Sequence, residues 1–121
     1  MNMPVIDVPK WALTTLNNLS EMERKIALNG DPSNMKRNIE RIKEALEGEK
    51  IFFEDPMGQI FVETRTDLDA TITGTGIENL VVVEVLKPIV RVGTRDYSRV
   101  VQKGIVFVES DPSKSNKDGD K

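Results

Sequence analysis

The apolar residues of this chain change period once, at Gly48, and that change constrains the fold more than any other feature. Before it they recur every three or four positions, the spacing that lines one face of a helix. After it they alternate, or gather in short β-branched runs, which is the pattern of strands. A chain that switches once, without internal repeats, reads as α+β: an N-terminal helical hairpin followed by a small all-β domain of short strands.

In the first half, Ala12, Leu16, Leu19, Met22 and Ile26 follow one another at spacings of four, three, three and four. Pro9 suits the first helical position, where its missing N–H costs nothing, and Asn29-Gly30 supplies a left-handed stop. Asp31-Pro32 predicts a restart, with Asp31 as the cap and Pro32 opening the second helix. That helix carries Met35, Ile39, Ile42 and Leu46 at four, three and four, and Gly48 closes it. Lys36, Arg37, Glu40, Arg41, Lys43 and Glu44 occupy its other face, spaced for weak helical ion pairs. The hairpin spans residues 9–50 and buries one stripe per helix, so that stripe must pack on the β half or on a second copy. Heptad-like spacing favours a second copy. The expected dimer interface is then Leu16, Leu19, Ile26, Met35, Ile39, Ile42 and Leu46, in a four-helix bundle.

Residues 51–109 make the expected β domain. Ile51-Phe52-Phe53 is a short apolar run, Asp55-Pro56-Met57-Gly58 a turn, residues 59–64 a half-buried strand, 66–69 a loop and 70–73 a short strand. Gly74-Thr75-Gly76 breaks the pattern. Three further runs, 80–86, 89–92 and 99–108, are split by Lys87-Pro88 and by Gly93-Thr94-Arg95-Asp96. The last is apolar on both faces, which predicts a central strand. Residues 110–121 contain no apolar side chain and read as a disordered tail.

Among 121 residues there is no cysteine and no histidine, which removes disulfides, thiolate metal sites and the commonest general base and metal ligand. A net charge of −3 with interspersed signs gives no basic face for nucleic acid. No apolar run is long enough to span a membrane and no signal peptide is evident, so a cytoplasmic protein is expected. Glu54, Asp55, Glu63, Asp67 and Asp69 could be paired into a hydrolase site, but without pocket-forming context they read as solvated carboxylates. Gly74-Thr75-Gly76 lacks the lysine and helix of a phosphate loop. Asn18-Leu19-Ser20 matches a glycosylation pattern inside a predicted helix. No catalytic residue, metal site or cofactor is expected. Arg91, Arg95, Arg99 and Lys103, with Tyr97 among them, read either as edge protection or as a docking patch for a partner protein.

Three segments in order resemble the GrpE family, the nucleotide exchange factors of Hsp70-type (DnaK) chaperones. Leu13-Thr14-Thr15-Leu16-Asn17-Asn18-Leu19 is similar to the family's L-P-V-L-D-N-L, with Asn17 in place of aspartate. Residues 35–51, ending Leu46-Glu47-Gly48-Glu49-Lys50-Ile51, resemble its shorter bundle helix, which ends L-x-x-x-G-V. Val83-Glu84-Val85-Leu86-Lys87 and residues 99–108 resemble V-x-E-V-L-Q-K-G-Y and R-V-[IL]-R-P-A-x-V-x-V, its closing β-hairpin. The resemblance covers residues 11–109. It implies a cytoplasmic homodimer built on the helices, a co-chaperone of protein folding and the stress response that is not an enzyme. Its β domain would wedge into the ATPase domain of the chaperone and promote ADP release. Leu86, Arg99 and Val108 match the chaperone-facing positions, and Arg95 and Tyr97 of the neighbouring turn join them. The family's F-D-P-x-x-H-E-A survives only as Gly58-Gln59-Ile60-Phe61, followed by Val62-Glu63, and Lys103-Gly104 replaces Pro-Ala. These departures point to the alternative, an adaptor of the same fold with a different protein partner.

Overall fold

A computed structural model describes residues 8–114. Helix α1 (Lys10–Asn29) begins directly after Pro9, whose carbonyl accepts the amides of Ala12 and Leu13 at 2.9 and 3.3 Å. It ends at Gly30, whose φ of +86° is one that glycine adopts without steric cost. Helix α2 (Met35–Gly48) starts a turn later than the Asp31-Pro32 signal predicts. The Asn34 amide first closes a turn onto the Asp31 carbonyl at 3.1 Å. The Asp31 carboxylate then reaches past that turn to accept the amides of Met35 at 2.7 Å and Lys36 at 2.8 Å. Asp31 therefore satisfies the orphan donors as a cap does, from further upstream than a standard cap.

The helical stripe finds its cover within the chain. Leu16, Leu19, Ile39 and Leu46 are buried in one cluster with Phe53 and Val90, and Leu13, Met22, Ile26, Ile51 and Val101 pack around it. This corrects the expectation that the stripe is held for a second copy: four of its seven residues are already closed against the β half. Met35 and Ile42 stay exposed and Ile26 is half-buried. Polar contacts fasten the same interface. Lys43 pairs with Glu23 of α1 at 2.9 Å while lying over the Phe53 ring, 4.9 Å from its centroid.

The β half is six strands in two three-stranded sheets. One sheet is antiparallel, in the order β1 (Ile51–Glu54), β4 (Ile89–Gly93), β5 (Ser98–Gln102). The other places β6 (Gly104–Ser110) between β2 (Leu68–Thr73), parallel to it, and β3 (Leu80–Lys87), antiparallel to it. Four boundaries differ from the sequence reading. Residues 59–64 form no strand: Gly58 to Phe61 follow the edge of β3 through three backbone bonds of 2.8 to 3.0 Å and the single bridge Ile60↔Val81. The chain then turns, with Arg65 N–H on the Val62 carbonyl at 3.0 Å. The expected 66–69 loop already contains the start of β2. The 99–108 run divides at Lys103 into strands of different sheets. Ser110 closes β6 and Pro112–Lys114 form a 3-10 turn, so the expected tail starts too early; residues 115–121 lie outside the described residues.

Both breaks in the long runs fall at one level. Lys87↔Ile105 is the last pair of one sheet and Val90↔Gln102 the first of the other. Between them sit Pro88 and Ile89 on one arm and Lys103 and Gly104 on the other. Residues 80–110 are thus one long hairpin, bent so that each half joins a different sheet. Proline cannot donate to a ladder, and the bend uses its carbonyl instead: the Gln102 side-chain amide donates to Pro88 O at 3.0 Å and to Asn17 Oδ1 at 2.8 Å. Asn17 returns a longer bond of 3.4 Å to Gln102, a reciprocal pair that an aspartate at this position could not make.

Two cores result. The helices cover one face of the β1-β4-β5 sheet. On the other side, Ile89 joins Leu68, Leu80, Val82, Val85, Val106 and Val108 in a second cluster, with Val100, Ala70 and Phe61 packed against it. Gly104 lies in the seam. A β-carbon there would meet Leu68 Cδ2 at 2.8 Å, Ile89 Cγ1 at 3.0 Å and the Lys87 carbonyl at 3.4 Å. Substituting Gly104→Ala overpacks that seam, and a loss of about 1–3 kcal/mol, read from the urea midpoint, is expected; an unchanged midpoint would mean the seam has room.

Candidate protein-binding surface

Among the described residues, the β2-β6-β3 sheet packs a core against one of its faces. Its inner face carries Val106 and Val108 of β6 opposite Ala70 and Ile72 of β2 and Val85 and Val82 of β3. Its outer face carries Ile105 and Phe107, and two register shifts in β3 crowd extra side chains onto it. Val83 is inserted beside Glu84 opposite Phe107, and Leu86 beside Lys87 opposite Ile105. A bulge places two residues against one and re-aims a side chain. The exposure of β3 follows that geometry: Val85 is buried, while Val83, Glu84, Leu86 and Lys87 are all open. The outcome, among the described residues, is an apolar group of exposed Val83, Leu86 and Ile105 around a half-buried Phe107, bordered by Glu84, Lys87 and Asp69. Apolar surface ringed by polar groups is what a protein-binding face looks like.

The five residues expected to bind a partner are not brought together. Leu86 is 47% exposed and belongs to this face. Val108 is 0% exposed, inside the core between the sheets, and is corrected from a contact to a structural residue. Its place in the sequence pattern hid this, since both faces of β6 are apolar and only the register tells them apart. Arg99 is half-buried on β5 of the other sheet. Tyr97 is 72% exposed at the turn between β4 and β5. Arg95 is engaged within the chain: it donates to both Glu47 oxygens, at 2.8 and 3.2 Å, and lies 4.2 Å from the centre of the Phe52 ring. That bidentate bond holds the Glu47 carboxyl below its ordinary range and raises the Arg95 guanidinium. Arg95 latches the turn to the end of α2. Val83, Ile105 and Phe107 were missed, although the pairs Val83-Glu84 and Leu86-Lys87, three residues apart where strict alternation needs two, carried the signal of bulges.

The carboxylates considered for catalysis are mostly matched with cations. Asp67 accepts two bonds of 3.0 Å from Arg65 and one of 3.3 Å from Arg91, which also donates to Glu54 at 2.9 Å. Arg65 reaches Gln59 as well, at 2.8 Å, so this network fixes the 59–67 segment to β4. Asp69 stands 3.8 Å from Lys103, and Asp55 3.9 Å from Arg24. Among the described residues no three metal-ligating side chains gather at one place, and no helix is long and apolar enough to cross a membrane. Two open hollows, of about 290 and 320 Å³, share Glu23 and Ala27 on α1; Lys36 lines one and Leu28, Asp55 and Met57 the other.

Asp67 gives the network a pH signature. The hydrogen bonds from Arg65 are the main reason its carboxyl lies below the ordinary value, outweighing the opposing effect of burial. A carboxyl lowered in the folded state contributes stability above its unfolded pKa, about 4, and loses it as pH falls through the folded value. Asp67→Asn is therefore expected to lower the urea midpoint at pH 7, and the gap from the parent to narrow as pH falls below the unfolded value. A gap of constant size across that range would contradict the assignment.

No family model, curated protein or solved structure matches the chain.

Proposed function

We propose that this chain is a non-catalytic protein-binding module of the exchange-factor type, which engages the ATPase domain of a DnaK-type chaperone and promotes ADP release. The observation that carries the reading is the bulged face of β3, where two insertions in eight residues present Val83 and Leu86 beside Ile105 and Phe107. Burying such a face against a partner gives affinity without bond-making groups. Exchange then follows from linkage: a module that binds the open ATPase domain better than the closed one lowers nucleotide affinity by the same factor. The order of two helices followed by short strands in two sheets is compatible with the expected α+β class. The reading carries a cytoplasmic homodimer.

A second reading, an adaptor of this architecture with another protein partner, is favoured by specific contacts. Val108 is enclosed and Arg95 is held by Glu47, so two of the expected chaperone contacts serve the fold. One experiment separates the readings. Added at micromolar concentration to a DnaK-type chaperone loaded with fluorescent ADP, the parent protein is expected to accelerate release. Leu86→Glu is expected to cut that acceleration about tenfold or more, as removal of a central anchor does, with unchanged circular dichroism. If the parent gives no acceleration, the exchange reading is lost. Capture of a different protein by the parent but not by Leu86→Glu would then establish the adaptor.

A further inference from the structure

The outer edge of β2 has no backbone partner among the described residues. β2 ends its sheet, and none of the backbone bonds outside the ladders reaches residues 68–73. An open edge invites another strand, and folded proteins usually blunt it. Of the three other edges, β1 is only four residues long, and the two longer ones are blunted. Gly58 to Phe61 run along the far side of β3, and β5 carries an extra residue, Val101, together with Arg99 and, just past its end, Lys103. β2 has none of these devices: Leu68–Thr73 reads LDATIT, without lysine, arginine or proline, and its register with β6 is unbroken over its whole length. Thr71, Ile72 and Thr73 are β-branched and suit a paired strand. Ile72, on the core-facing side, remains 47% exposed, although Val108 opposite it is fully buried. The second core is left open at this edge.

We propose that this edge pairs antiparallel with the same edge of a second copy, about a two-fold axis through Thr71. Side chains directly opposite each other must lie on the same face, which leaves few registers. An axis through Asp69 would set two carboxylates against each other. An axis through Ala70 would set Ile72 against Leu68, which is already buried and gains nothing. The axis through Thr71 sets Ile72 against the partner's Ala70, a large residue against a small one, and Asp69 against the partner's Thr73. No like charges meet, and the exposed part of Ile72 is covered. The product is one continuous sheet running from β3 of one copy to β3 of the other. Two-fold pairing of identical surfaces is the commonest way a chain forms a dimer. It leaves the face of Val83, Leu86, Ile105 and Phe107 open on both copies, so the dimer would present that face twice. The inference does not depend on the chaperone reading, and it places the pairing on the β half instead of the helices.

The chain has no cysteine, so a single introduced thiol reports its own neighbour. The parent is expected to sediment as a dimer at micromolar concentration. Thr71→Cys is expected to cross-link rapidly under mild oxidation. Asp69→Cys, exposed on the same strand face, is expected not to, because the axis holds it about 13 Å from its copy, four residues at about 3.3 Å each. Thr71→Lys sets two ammonium groups face to face and is expected to weaken the dimer about a hundredfold, whereas Ile42→Glu on the helical face leaves it intact. A monomeric parent, equal cross-linking at positions 69 and 71, or a dimer dispersed by Ile42→Glu but not by Thr71→Lys would each overturn the proposal. The thiol comparison decides the matter even if Thr71→Lys fails to fold.

Discussion

Everything in the β half depends on the bend at Pro88 and Gly104. A flat hairpin of residues 80–110 would place all its side chains on the two faces of one ribbon, and an isolated two-stranded ribbon cannot bury either face. Bending it lets the arms change neighbours. Ile89, just past Pro88, pairs with Glu54 of β1, and Gly104, just past Lys103, pairs with Leu68 of β2. One continuous hairpin thereby becomes the centre of two sheets, whose facing sides close over Val106 and Val108. The two arms bend by different chemistry. Pro88 interrupts the ladder because it has no N–H, and Gly104 permits the close approach because it has no side chain. The Gln102 amide, bound to Pro88 and Asn17 together, carries the constraint into α1. The angle between helices and sheets is set at the same point as the angle between the sheets.

The helices were legible in the sequence because their information is local. A stripe at Leu16, Leu19, Ile39 and Leu46 defines a helix face whatever it packs on, and Gly30 marks the end of α1 through backbone chemistry alone, whereas α2 runs through Gly48 and Lys50 takes the left-handed conformation after it. The stripe does not say what covers it, and heptad-like spacing is shared by bundles and by helices lying on a sheet. The β half was legible only as a set of apolar runs. Pro88 marked its break in the sequence, whereas the matching break at Lys103 was hidden in a run of β-branched residues. Residues 59–64 alternate as a strand does, yet the ion pairs of Arg65 and the turn at Val62 peel them from β3 after one bridge. The candidate surface suffered most. Whether Val108 or Ile105 faces solvent depends on parity within β6, and parity is set by pairing between residues far apart in sequence. Leu86 and Val83 both owe their exposure to bulges, which alternation does not show, and Leu86 was singled out only by the family resemblance.

The contacts between α2 and the hairpin turn explain why the arginine-rich segment serves the fold more than recognition. Arg95 stacks on Phe52 and holds Glu47, and Lys43 stacks on Phe53 and holds Glu23. Both cations cover aromatic rings at the border of the first core and satisfy a helical carboxylate as they do so. A chain this poor in aromatic residues has few large side chains with which to join helices to a sheet, and it uses long cations to seal the seam around Phe52 and Phe53.

That allocation leaves exposed apolar surface on the opposite side of the molecule. The helices spend most of their apolar stripe on the β1-β4-β5 sheet, which in turn is covered on its second side by the inner face of the β2-β6-β3 sheet. Among the described residues the last layer keeps an outer face on which Val83, Leu86 and Ile105 are exposed, and the bulges of β3 enlarge that face instead of hiding it. Each bulge costs ladder regularity, since the inserted residue makes no paired contact with β6. Strand β2, on the other side of β6, keeps a regular register throughout, so irregularity is not a general property of the sheet. It is confined to the strand bearing Val83 and Leu86, where its effect is to put both side chains into solvent next to Phe107 and Ile105. That asymmetry between β3 and β2 sets the outer face apart, and it is the physical argument behind the proposal that this face meets a partner.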